Sequence, residues 1–109
     1  MITDEQIEAA LDYLRDSVEA AAQGRANKVY LTEYRKTKKA ELMNLCNETS
    51  EAAKERFAYS HAEYAEFLSG LRAAIYEDAK HTFLREAADA KIEAWRTQQA
   101  NARTMEKIQ

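Results

Sequence analysis

Two histidines, one cysteine and a run of cations are the residues of this chain whose types and spacing bear on chemistry. Asp78-Ala79-Lys80-His81 loosely resembles the Glu-x-x-His unit of a di-iron bundle, but such a centre needs two of these units and further carboxylates. His61 has no such neighbours, so His81 reads as a solvated ring and His61 as part of an apolar stripe. Cys46 is alone, which leaves no internal disulfide and suits a reducing compartment. As a nucleophile with His61 or His81 it would need a preorganised pocket, and thin helices offer few. It is expected to be a small buried apolar residue. Glycine-rich phosphate loops are missing, and the carboxylates sit at helical spacings beside Lys and Arg, as surface ion pairs do. No catalytic residue, metal ligand or cofactor is expected, and the chain reads as a binding protein and not an enzyme.

The cations are more informative. Residues 1–24 hold six acids against Arg15, whereas residues 25–39 hold six bases against Glu33, an asymmetry that the net charge of −3 hides. On one helix Arg25, Lys28, Arg35, Lys36 and Lys39 fall within an arc of roughly 100°, with Lys38 outside it. Such a ridge can follow a phosphate backbone, and Tyr30 and Tyr34 could stack on bases. The same projection sets both tyrosines on the far side from the cations. Two other readings stay open: the ridge pairs with acids of the first helix or of a neighbouring subunit, or it meets an acidic protein partner.

The elements that must carry these groups are helices. The chain has 109 residues, no proline and only Gly24 and Gly70, and it is rich in Ala, Glu, Lys, Arg and Leu. This predicts a single all-α domain, a long antiparallel helical hairpin or three-helix arrangement resembling a coiled coil. Thr3-Asp4-Glu5-Gln6 has the form of a capping box and starts a helix over 3–23, with Ile7, Leu11, Leu14, Val18 and Ala21 on one stripe. Past Gly24 that face would turn basic, so a break is expected there and a second helix over 26–47. Asn47-Glu48-Thr49-Ser50 predicts a reversal. A long helix over 51–104 follows, with Ala53, Phe57, His61, Tyr64, Leu68, Leu71, Ile75 and Ala79 in phase. A competing reading starts it at 60, where Ser60-His61-Ala62-Glu63 offers another capping box, and Met105 to Gln109 are expected to fray. Leu84, Ala88, Ile92 and Trp95 lie on nearly the opposite side from that stripe. A helix apolar on two sides needs more than one neighbour, so a homo-oligomer or an obligate partner is expected, with Tyr64, Leu68, Leu71, Ile75, Leu84, Ile92, Trp95 and Arg96 at the interface.

Tyr64 through Leu71, Arg85-Glu86-Ala87-Ala88, and above all Ile92-Glu93-Ala94-Trp95-Arg96-Thr97 followed by Ala100-Asn101-Ala102-Arg103 resemble a family of short helical proteins encoded by bacteriophages and prophages. Tyr34-Arg35-Lys36 and Lys39-Ala40-Glu41-Leu42-Met43 are similar too, so the resemblance covers about half the chain. Family members usually carry Ser after the Trp-Arg pair and an Asn-Ala-Asn-Arg-Arg ending, where this chain has Thr97 and a single Arg103. The resemblance implies a gene found beside phage recombination and replication genes, including those for single-strand annealing proteins.

Together these readings predict a non-enzymatic phage accessory protein of DNA recombination or replication that binds DNA or a DNA-bound protein. The alternative is an antagonist of a host defence protein whose acids imitate nucleic acid, and the third is a virion structural or assembly protein. Met1 is followed by polar, acidic residues and no run is long enough to cross a bilayer, so no leader or membrane contact is expected and the host cytoplasm is the predicted location.

Overall fold

The computed structural model describes residues 1–108 as four helices: α1 (Asp4–Asp16), α2 (Val18–Met43), α3 (Glu51–Ser60) and α4 (Ala62–Ile108). No strand occurs among the described residues. The single domain suggested by the chain length divides into two compact units. One combines Met1–Ala22 with the stretch from Lys80 onward, and the other is Gln23–Ala79.

In the first unit α1 opens with the capping box read from the sequence. The Thr3 hydroxyl accepts from the Gln6 amide at 3.2 Å, and the Gln6 side chain accepts from the Thr3 amide at 2.9 Å. The break between the first two helices falls at Ser17, not at Gly24, which lies inside α2. Its physical cause is an inserted side chain. Arg85 donates to the Leu14 carbonyl at 2.9 Å and to the Ser17 hydroxyl at 2.6 Å, so a charged group takes the carbonyl that the Val18 amide would otherwise occupy. The Ile2 amide donates to Gln98 at 3.3 Å, and these long-range bonds set α1 antiparallel to the distal part of α4. Ile7, Ala10 and Ala88 are the buried apolar residues here. Helix α4 continues through Met105 to Ile108, where fraying was expected.

In the second unit α2 and α4 are antiparallel, since Lys28 pairs with Asp78 and Lys38 with Glu63. Helix α2 ends at Met43, four residues before the expected boundary, as its chain tightens through Leu45 to Leu42 and Cys46 to Met43 amide–carbonyl bonds. Cys46 is half-buried and its Sγ accepts the Glu48 amide. Ser50 then caps α3 by accepting from the Ala53 amide at 3.1 Å. The core sits at this junction: Leu42 and Ala58 are 1% and 0% exposed, and they enclose Tyr64, with Met43 packed alongside.

The expected helix over 51–104 is two helices, interrupted at His61, and neither reading of its start is correct in full. Ser60 donates its hydroxyl to the Arg56 carbonyl at 2.7 Å, which satisfies the last turn of α3 from within. His61 is extended (φ −71°, ψ 139°) and its Nδ1 accepts the Glu63 amide at 3.0 Å, while its carbonyl accepts from Ala65. The imidazole thus caps α4, with its edge set against Phe57 at a centroid distance of 5.6 Å. Replacing a cap by alanine costs on the order of 1 kcal/mol. His61→Ala is expected to lose about that much in urea unfolding, with His61→Asn recovering most of it because its side-chain oxygen restores the acceptor.

Candidate basic and aromatic cleft

The cationic ridge does not remain one surface. Asp78, a buried carboxylate of α4 at 5% exposure, accepts from Lys28 Nζ at 2.8 Å and from Arg25 Nε at 3.1 Å. Both of its oxygens are therefore engaged by cations. Lys28, then Arg25, hold the Asp78 carboxyl below its ordinary value of 3.8 against the opposing effect of burial. A carboxylate with a depressed native value stabilises the fold fully above the ordinary value, and this contribution is lost as pH falls through the native value. Asp78→Asn is therefore expected to be less stable than the parent at neutral pH. The gap should narrow as the pH is taken below 3.8, as read by thermal melts across an acid series.

The carboxyl-terminal half of the ridge is different. Lys39 pairs with Glu55 at 3.1 Å and its ammonium stands 5.1 Å from the ring centroid of Tyr59. The Tyr59 hydroxyl and then Glu55 keep the Lys39 ammonium above its ordinary value, and so charged. Lys38, on the other flank, pairs with Glu63 at 3.3 Å. Among the described residues no carboxylate lies within ion-pair distance of Arg35 or Lys36. Arg35, Lys36 and Lys39 line an open cleft of about 420 Å³ together with Tyr59 and Tyr64.

The tyrosines singled out in the sequence lie elsewhere. Tyr30 stacks on Tyr34 at 5.8 Å, and Tyr34 donates its hydroxyl to Glu41 at 2.7 Å, a bond that also raises the phenol above its ordinary value. Tyr34 continues through Phe67 to Tyr64 and Tyr59, with successive centroids at 5.9, 6.4 and 5.3 Å. The ring that meets the cations is Tyr59, supplied by α3. The main sequence reading puts Tyr59 inside one long helix, and the competing one leaves it in a connector before a helix starting at 60. The available signal was the possible capping box Ser60-His61-Ala62-Glu63, which lies at the break after α3.

Of the expected interface residues, Tyr64 and Leu71 are buried within the second unit, covered by the chain's own helices. These two are fold residues, because a phase that repeats every three or four positions faces α2 as readily as a partner. Leu68, Ile75 and Leu84 are exposed at 42%, 47% and 47%. Ile92 and Trp95 are half-buried, and Arg96 is exposed and paired with Glu93 of its own helix at 3.0 Å. Among the described residues no group of three or more His, Cys, Asp or Glu side chains is placed to hold a metal ion, and no helix is long and apolar enough to cross a membrane.

The described residues thus form antiparallel helix pairs, the second unit of which carries an open basic and aromatic cleft. Compared with protein-family models, curated proteins and solved structures, the chain matches none.

Proposed function

We propose that the protein is a non-catalytic DNA-binding accessory factor that holds a single strand at the Arg35–Lys36–Tyr59 cleft. The observation that carries this reading is the coincidence, on one concave surface, of an exposed aromatic ring and two cations without acid partners among the described residues. Phosphates would sit on Arg35 and Lys36, and a base would stack on Tyr59, which is 52% exposed. A duplex keeps its bases stacked on one another, so it could use the cations but not the ring. The phage recombination and replication setting implied by the family resemblance supports the same choice of ligand.

The protein is also proposed to work as a homo-oligomer, because only eight apolar residues are buried in the two units among the described residues. An alternative use, occupying a host protein by imitating nucleic acid, draws support from Asp4 and Glu8, which have no cation within ion-pair distance among the described residues. Fluorescence anisotropy with a labelled oligothymidylate and a matched duplex, across a salt series, tests the main reading. Tighter binding of the single strand is expected, with log affinity falling by about 0.7 per neutralised phosphate per log unit of salt. An absence of binding to either form at low salt would remove DNA as the ligand.

A further inference from the structure

The first unit sets α1 antiparallel to the distal part of α4, and the exposed side of this helix pair has a defined composition. Tyr13 and Ala9 of α1 face Leu84, Ala87 and Lys91 of α4 across a groove of about 270 Å³. Phe83, 66% exposed, borders the same side of α4. The Tyr13 hydroxyl and the Trp95 indole nitrogen are both buried with no hydrogen-bond partner among the described residues. Buried polar atoms of this kind are rare in completed folds, and a helix pair with three buried apolar residues among those described is not a completed one.

The charges along the groove say what covers it. At about 100° per residue, the rim of α1 beyond Ala9 carries Glu5 and Asp12, while on α4 Lys91 lies between Leu84 and Ala87 in the groove wall. The Ile2–Gln98 and Arg85–Ser17 bonds fix the antiparallel register so that Asp12 stands close to the level of Lys91. Yet Lys91 has no ion pair among the described residues, and Asp12 reaches only Arg15 of its own helix, at 3.3 Å. A twofold axis running along the groove, parallel to the helices, keeps every residue at its own level. It brings the acidic rim of α1 in one copy against Lys91 of α4 in the other. The surface is self-complementary, as a twofold interface requires.

We infer that two copies of this chain associate through the α1–α4 groove of the first unit, forming a four-helix bundle in which Asp12 of each copy meets Lys91 of the other. The inference rests on the proposed homo-oligomer and names its surface. Under this symmetry each helix runs antiparallel to both of its neighbours, as in up-down bundles.

Light scattering and sedimentation over a dilution series test it. A dimer is expected. Leu84→Glu should weaken it by roughly tenfold or more. Asp12→Lys and Lys91→Asp should each weaken it, and the two together should restore it. Leu68→Glu, on the second unit, should leave it unchanged. Because Asp12 and Lys91 lie at the surface, the swap reads association even where Leu84→Glu disturbs folding. A monomer at every concentration would overturn both the oligomer and its surface. A dimer that ignores all three first-unit substitutions and shows no rescue would overturn this surface and leave self-association standing.

Discussion

Leu42→Ala is expected to destabilise the second unit by about 2–5 kcal/mol, the range for emptying a fully buried leucine site. Leu42 is 1% exposed and shares its cluster with Ala58 and Tyr64, so few neighbouring atoms can move into the space it leaves. A small domain has only about 5–15 kcal/mol of total stability, and a loss of this size removes much of it. Leu42→Met keeps the volume and is expected to cost less than about 1.5 kcal/mol. Urea titrations followed by helical circular dichroism would separate the two variants. The same substitution has a functional consequence. Leu42 and Ala58 hold α3 on α2, and α3 carries Tyr59, so loosening this core should weaken strand binding before the chain unfolds. A Leu42→Ala variant as stable as the parent would mean that α3 is held by something other than this cluster.

The helical content was readable because composition speaks at every position: no proline, two glycines and apolar residues recurring every three or four places. Local caps were readable for the same reason, as Thr3 and Gln6 show, since both partners of each bond are three residues apart. What the sequence concealed are events decided from a distance. Gly24 stayed helical because glycine permits a break without requiring one, while Ser17 breaks because Arg85, 68 residues away, reaches its hydroxyl. The phase argument asked for a break near Gly24, and phase locates such a break only to within a turn or two; the structure has it at Ser17. His61 fitted the apolar stripe by spacing and yet ends it, because its ring is an acceptor as well as an apolar surface. The candidate site followed the same pattern. Arg25, Lys28, Arg35, Lys36 and Lys39 do share a helix face, but only the fold reveals that Asp78 neutralises the first two. The projection rightly separated Tyr30 and Tyr34 from the cations. It could not supply Tyr59, which arrives from another helix.

Arg35→Glu combined with Lys36→Glu is expected to lower single-strand affinity by roughly a hundredfold or more at low salt, since each reversal removes an attraction and adds a repulsion. The salt dependence should flatten together with the affinity, by about 0.7 for each phosphate that the variant no longer neutralises. Tyr59→Ala should cost about 1–3 kcal/mol of binding with the salt slope kept, because stacking releases no counterions, and Tyr59→Phe should bind nearly as the parent does. The decisive comparison is with the other end of the ridge. If all five cations formed one binding surface, Arg25→Gln with Lys28→Gln would flatten the salt dependence as strongly as changes at Arg35 and Lys36. Because Arg25 and Lys28 are engaged by a buried carboxylate, their loss is expected to appear in thermal stability, leaving Asp78 without its counter-charges, and to leave the salt slope of the folded protein unchanged. Equal slopes for the two double variants, both below that of the parent, would return the ridge to a single surface and remove the cleft as the seat of binding.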